Sequence, residues 1–105
     1  MIYKVRGRFK AETAATFLQK LSDGTIEQQR PDGAEIIASM NRAVVTSSGH
    51  VQWSELCYCP SPLQHERTTV LDHHFDDLST EPIDGYQHYD GKPFMDYLKE
   101  LATSS

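Results

Sequence analysis

The segment that most constrains this fold is the octet at residues 3–10, which reads Tyr-Lys-Val-Arg-Gly-Arg-Phe-Lys. Side chains of a β-strand point alternately to opposite faces. An extended octet therefore places apolar side chains on one face and four cations on the other, namely Tyr3, Val5 and Phe9 against Lys4, Arg6, Arg8 and Lys10. Neighbouring cations on one face lie about 7 Å apart and repel one another unless acids, an anion or open water compensate. The sequence thus predicts a first strand over residues 2–10 that is apolar toward a core and cationic toward the outside.

Length and hydropathy predict one domain that spans residues 1–105 and has an ordinary apolar core, since 38% of its residues are hydrophobic. No apolar run approaches the roughly 18–20 residues that cross a bilayer. The first residues also lack the apolar stretch of a secretory signal. We therefore expect a cytoplasmic protein with no membrane partner. In that reducing compartment the two cysteines are not expected to form a disulfide framework.

The charge is divided unevenly along the chain. Residues 1–54 carry a balance of +2 and residues 55–105 a balance of −7. General binding to a nucleic-acid backbone needs a basic footprint, so we expect no nucleic-acid partner. The acidic second half offers a structural counterpart for the basic strand.

Helical spacing of apolar residues predicts a first helix over residues 12–21, which Gly24 ends. The next segment, residues 32–41, fits either a short helix or a turn followed by a strand. Asp32 and Glu35 have the spacing of a capping box, which favours the helix.

The second half is predicted from turn and cap signals. A hairpin joins residues 43–46 to residues 51–59. Ser61, Pro62 and Gln64 have the pattern of a helix start, and that helix is expected to reach about Phe75. An edge strand over residues 78–83, a loop over residues 84–92 and a final helix over residues 93–101 complete the chain.

This order of elements is typical of an α+β, ferredoxin-like (split β-α-β) sandwich with an extra short helix after helix one and a C-terminal helix. In that topology the first and third strands are central and the helices cover one face of the sheet. The basic stripe would then lie on the opposite face. No motif identifies a family, and a fold of this kind implies no activity.

The basic stripe is the first candidate site. Lys4, Arg6 and Arg8 are the predicted anion-binding residues, because guanidinium groups match carboxylates and phosphates with two parallel hydrogen bonds. Two structural explanations stay open. Glu55 and Glu81 could pair with the cations across strands, at about 0.2–1 kcal/mol for each pair, or a homodimer partner could supply the acids.

Metal-ligand residue types between positions 57 and 74 form the second candidate site. His65 and His73 lie about 12 Å apart along one helix, whereas zinc–ligand bonds are about 2.0–2.3 Å long. We therefore predict no metal and no cofactor. Cys59 precedes a helix whose dipole can favour the thiolate. Cys59, with His65 or His74 as acid or base, supplies the catalytic candidates.

Two further residue groups carry expectations. Glu66 and Arg67 are expected to form solvent-exposed ion pairs. The aromatic loop at residues 86–89 fits either a flap over a site or another subunit, or a segment that its two tyrosines fasten to its own domain.

Two functions of different class follow from these residues. The first is a homodimeric interaction or ligand-sensing protein without catalysis. The second is a small enzyme or binding protein for an anionic metabolite, with Arg6 and Arg8 as the anion clamp and His65 or His74 as acid or base. The sequence names neither a substrate nor a reaction.

Overall fold

Strand β1 (Ile2–Phe9) lies inside an antiparallel sheet in a computed structural model that describes residues 1–57, 61 and 63–103. The other strands are β2 (Val44–Val45), β3 (Val51–Leu56), β4 (Phe75–Ile83) and β5 (Lys92–Pro93). Their order across the sheet is β4-β1-β3-β2-β5, and the neighbours are antiparallel. The predicted α+β class is confirmed, and β1 and β3 each have a neighbour on both sides.

The two faces of β1 differ as the sequence predicts. Tyr3 and Val5 are buried, whereas Arg6 and Arg8 are exposed. Gly7 lies against β4, and a Cβ atom at this position would be 2.7 Å from Leu78 Cδ2.

A bulge in β4 explains why this strand begins earlier than predicted. The register between β1 and β4 shifts between Arg6 and Arg8, and Asp77 has a left-handed φ of 55°. Aspartate tolerates that conformation better than most residues, so the strand continues through the irregularity. Phe75, which was predicted to lie in a helix, instead begins β4 and pairs with Phe9.

Three helices cover the apolar face of the sheet: α1 (Ala14–Ser22), α2 (Gly33–Arg42) and α5 (Phe94–Thr103). A 3₁₀ turn, Ala11–Thr13, leads into α1. Their inward residues share one core with the sheet, which includes Val5, Phe17, Ile36, Trp53, Phe94 and Leu98. The predicted helix over residues 32–41 is confirmed, because α2 occupies this stretch. The residues after the last loop also add the short strand β5, which the sequence did not predict.

Helix α2 seals an open edge of β3. Strand β2 pairs with Gln52 and Val51, and among the described residues no other strand lies beside the rest of that edge. Glu35 Oε2 accepts a hydrogen bond from the Leu56 amide at 2.9 Å, and Arg42 donates to the Ser54 carbonyl at 2.8 Å. Glu35 and Arg42 also pair with each other at 3.0 Å. These side chains form hydrogen bonds with β3 backbone groups that a longer β2 would otherwise pair, since buried backbone groups need partners.

The predicted capping box of α2 is wrong. Asp32 makes no side-chain hydrogen bond to the start of the helix. Its Oδ2 atom lies 2.6 Å from His65 Nδ1, while Glu35 bonds to β3. Both acids of the pattern are therefore used in tertiary contacts.

The helical stretch at residues 64–74 differs from the predicted helix. It consists of α3 (Gln64–Glu66), a π-helical turn (Arg67–Leu71) and α4 (Asp72–His74). Ser61 does not cap it with its side chain; Leu63 precedes α3 with a left-handed φ of 55° and a fully buried side chain. Burial of Leu63 therefore sets this helix start. The predicted role of Pro62 lies outside the described residues.

Within the described part of the chain, no helix combines the length and apolar character needed to cross a bilayer.

Candidate functional site

The cations of β1 and Lys10, which directly follows the strand, lie on the face of the sheet opposite the helices, which we call the outer face. Three of them have acidic neighbours on or beside β4. Arg8 lies 3.9 Å from Asp77, Lys10 lies 3.6 Å from Asp76, and Lys4 stands opposite Glu81 in the strand register. Glu81 is therefore placed to compensate Lys4, but none of the ion pairs of the described residues joins the two, and the expected pairing stays a prediction.

Arg6 differs from its neighbours because its partners are uncharged. It stands opposite Gln52 on one side and Ser79 on the other. Its guanidinium lies 3.4 Å from Ser48 Oγ and 3.1 Å from His50 Nδ1. None of the ion pairs formed by residues 1–57, 61 and 63–103 includes Arg6.

His50 is suited to hold this guanidinium as a neutral acceptor. Its Nδ1 atom also lies 2.8 Å from Ser48 Oγ. Loss of hydration lowers the pKa of His50, and the positive charges of Arg6 and Arg8 lower it further. The turn between β2 and β3 thus positions the Arg6 side chain without neutralising it.

A shallow groove of about 270 Å³ runs beside Arg6. Its lining residues come from β1 and β4 and are Lys4, Arg6, Ser79, Thr80 and Glu81. Two cations, one acid and the Ser79 hydroxyl group therefore surround one open space, whereas Thr80 stands opposite buried Val5 in the strand register.

The other half of the outer face is covered by the loop at residues 84–91. The Gln87 amide donates to Ser54 Oγ at 3.0 Å, and that hydroxyl donates to the Gln87 carbonyl at 2.9 Å. Lys4 lies 5.9 Å from the centre of the Tyr89 ring. Tyr86 donates to Glu35 at 3.1 Å and stacks on Arg42, with 4.5 Å from the guanidinium carbon to the ring centre. Of the two predicted roles for this loop, its contacts match the segment fastened to its own domain.

Two glutamates are buried on the helix side of the sheet. Glu55 stands opposite Tyr3 and is fully buried, so the expected pairing of Glu55 with the outer cations is wrong. Glu66 is also fully buried, so the exposed ion pair expected of it is wrong, whereas Arg67 forms an exposed pair with Asp72 at 3.1 Å. The turn that begins α3 brings Glu66 inward, against β3.

The carboxyl groups of Glu55 and Glu66 face each other within reach of a hydrogen bond. Trp53 Nε1 donates to Glu55 Oε1 at 2.7 Å. No N–H or hydroxyl group of the described residues donates to Glu55 Oε2 or to either Glu66 oxygen. Burial raises the pKa of both acids, and the pKa of Glu66 reaches about 11 because Glu55 faces it.

The two predicted catalytic histidines have different surroundings. His74 is buried on the helix side, stacks on Phe17 and lies 2.8 Å from Thr13 Oγ1. Burial lowers the pKa of His74 to about 4. His65 pairs with Asp32. Neither histidine lies on the outer face with Arg6 and Arg8, and Cys59 lies outside the described residues.

Comparisons with known proteins identify no relative. No family model matches the chain, and no match was found among curated proteins or solved structures. Among the described residues, no group of three or more histidines, cysteines and acids is placed to hold a metal ion. The function is therefore inferred from the geometry of the two faces.

Sequence reasoning missed Ser48 and His50, the uncharged partners of Arg6. Both follow a two-residue strand, and the turn between β2 and β3 gives no motif beyond a generic hairpin signal. Only the strand register, which places Gly7 opposite Val51, shows that this turn reaches Arg6.

Proposed function

We propose that this domain is a non-catalytic binding protein for a small anion, a carboxylate or a phosphate, that Arg6 holds on the uncovered half of the outer face. One observation carries the proposal. Arg6 is exposed and has only uncharged partners, whereas Lys4, Arg8 and Lys10 each have an acid beside or opposite them. A guanidinium left without a carboxylate is the group most ready to accept one.

The surroundings of Arg6 support a ligand with a single negative charge. Lys4 and Ser79 line the groove beside it and offer an ammonium and a hydroxyl group. Glu81 lines the same groove and would repel a second negative charge. We therefore expect a monoanionic carboxylate to bind more tightly than a phosphate dianion.

The proposal gives neither predicted histidine a catalytic role. A proton-transferring side chain must reach the bound ligand. His74, a predicted acid or base, is buried on the helix side, and His65 is engaged with Asp32. The anion clamp that was predicted from Arg6 and Arg8 is thereby narrowed to Arg6, since Arg8 lies beside Asp77.

Arg6→Ala and Arg8→Ala form a matched pair for testing the proposal. Both residues are exposed arginines of the same strand face, and they differ in their acidic neighbour. We expect Arg6→Ala to weaken acetate binding roughly tenfold, the size of one charge-assisted hydrogen bond. Arg8→Ala should change it less than about twofold. Titrations followed by amide chemical shifts at constant ionic strength measure both, with phosphate as the second probe.

Equal weakening by the two variants would contradict the role of Arg6, because it would report only the general positive charge of the face. Undiminished binding in Arg6→Ala would contradict it as well. A circular-dichroism spectrum of each variant serves as the control for folding.

A homodimer is the second candidate, and the mixed charge of the outer face favours it. Asp76, Asp77 and Glu81 lie beside the cations, so the same surface carries both signs, as an isologous interface requires. The edge of β4 is a poor alternative, since its bulge and Pro82 discourage strand addition. Native mass spectrometry at micromolar concentration tests this candidate; a spectrum with monomer alone contradicts it.

We further propose that the sheet is a ferredoxin-like sandwich extended by β5. The order β4-β1-β3-β2 and the helices that follow β1 and β3 support this topology. An experimental structure with β1 and β3 as edge strands would contradict it.

A further inference from the structure

The buried pair of Glu55 and Glu66 has no role in anion binding, because it lies on the opposite side of the sheet from Arg6. Both carboxyl groups are fully buried, and they belong to different elements, β3 and α3. Two ionised carboxylates in contact inside a core would repel each other strongly. A single proton between them turns that repulsion into a hydrogen bond.

The charged side chains around the pair are acidic, so a proton is the positive charge that offsets the repulsion between the two carboxyl groups. From α2, Glu35 and Ser39 face Glu55; from the start of α2, Asp32 faces Glu66. From β3, Trp53 donates to Glu55, and Cys57, directly after β3, faces Glu66. The charged neighbours that act on the pair are therefore acidic.

Two basic side chains of neighbouring elements have other partners. Arg42 is bound to Glu35 and to the Ser54 carbonyl, and His65 is bound to Asp32. Three carboxyl oxygens of the pair lack an N–H or hydroxyl donor among the described residues, and one shared proton would join two of them.

We propose that Glu55 and Glu66 share one proton and that this proton is a latch, which fastens residues 64–74 to strand β3 and is released as the pH rises. The backbone on both sides of Glu66 is irregular, with left-handed Leu63 before it and the π-helical turn Arg67–Leu71 after it. Irregular backbone of this kind is often found at functional or mobile elements. When residues 64–74 open, Glu66 meets water and loses the proton.

The latch makes a quantitative prediction for hydrogen exchange. If the closed state holds one proton more than the open state, the opening constant rises tenfold for each pH unit. From pH 7 to pH 9, the protection factors of residues 64–74, corrected for intrinsic exchange, should fall about 100-fold in the wild type. They should stay nearly constant in Glu66→Gln, whose amide donates to Glu55 without titrating.

Infrared spectroscopy provides an independent readout. At pH 7 the wild type should show the C=O absorption of a protonated carboxyl group, and Glu66→Gln should lack it. Glu81→Gln, a change on the exposed strand β4, is the matched control and should retain it. Absence of the band from the wild type, or its presence in Glu66→Gln, overturns the shared proton. Protection factors at pH 7 that are as high in residues 64–74 as in β1 overturn the latch, because residues 64–74 would then open only with the whole fold.

Discussion

Replacing Glu66 with glutamine should stabilise this protein at neutral pH. In the unfolded chain Glu66 has an ordinary pKa of 4.5, whereas burial beside Glu55 raises it well above 7 in the fold. A carboxyl group with a raised folded pKa contributes its full stability below pH 4.5. That stability is lost as the pH rises toward the folded value. At pH 7 the fold must keep one proton that the unfolded chain has released.

The cost of this proton follows from the pH difference alone. Each unit between the unfolded pKa of 4.5 and pH 7 costs about 1.4 kcal/mol, so the total is roughly 3 kcal/mol. Glutamine carries no such cost, and its amide N–H replaces the carboxyl proton as the donor to Glu55. Allowing about 1 kcal/mol for poorer hydrogen-bond geometry, we expect Glu66→Gln to raise the free energy of unfolding by roughly 2 kcal/mol at pH 7.

Trp53 supplies the assay. It is the chain's single tryptophan, is fully buried, and donates to Glu55. Its fluorescence during urea unfolding reports the transition at the pair itself. With a denaturant slope of about 1–2 kcal/mol per molar for a domain of this size, the midpoint should rise by roughly 1–2 M. Glu81→Gln, an exposed change, should shift stability by less than about 0.5 kcal/mol.

The pH dependence is the stricter part of the test. Between pH 6.5 and pH 8.5 the free energy of unfolding of the wild type should fall by about 3 kcal/mol, which is about 1.4 kcal/mol for each pH unit. Glu66→Gln should remain nearly level over the same range. The reasoning is refuted if Glu66→Gln is no more stable than the wild type at pH 7 and has the same slope, because the folded state would then hold no extra proton at this position.

Two further predictions concern His74 and Gly33. Burial lowers the pKa of His74 from 6.5 to about 4, so its stabilising contribution is complete above pH 6.5 and is lost as the pH falls toward 4. This effect opposes that of Glu66, so the urea midpoint of the wild type should stay nearly constant from pH 6.5 to 4.5. In His74→Gln the urea midpoint should instead keep rising as the pH falls through that range. Gly33→Ala should cost roughly 2–4 kcal/mol, because the new Cβ would lie 2.2 Å from the Ile26 carbonyl oxygen. The control Gly85→Ala adds a Cβ to open space, and a thermal melt that shows equal losses for both variants would contradict the close approach at Gly33.

The sequence predicted a strand or a helix correctly wherever one physical rule dominates its structure. Alternation alone separated Tyr3 and Val5 from Arg6 and Arg8, since a half-buried strand allows only one assignment of faces. The prediction of a capping box at the start of α2 was wrong because the Asp32 carboxylate can either cap the helix or bind His65. A capping hydrogen bond is worth about 1 kcal/mol, and the contact with His65, a residue 33 positions away, competes for the same carboxylate. Local patterns cannot reveal such a partner.

The site on the outer face was predicted only in part, for a similar reason. The spacing of Lys4, Arg6 and Arg8 showed that cations share a face, but their partners depend on the register of β1 against β4. The bulge at Asp77 brings an acid beside Arg8 and leaves Ser79 opposite Arg6. One irregular residue in a neighbouring strand thus decides which arginine is left for a ligand.

The sequence pattern already indicated that Glu55 and Glu66 are buried, but both acids were predicted to form ion pairs at the surface. Glu55 alternates with Trp53 and Cys57, so the strand pattern already placed it on the apolar face. Glu66 follows Leu63 by three residues and precedes Val70 by four, which is the spacing of one helical face. An acid on an apolar stripe of one element requires a partner, and a second acid on an apolar stripe of another element can be that partner only if one of the two is protonated. Two such acids in one small domain therefore predict a shared proton before any contact is known.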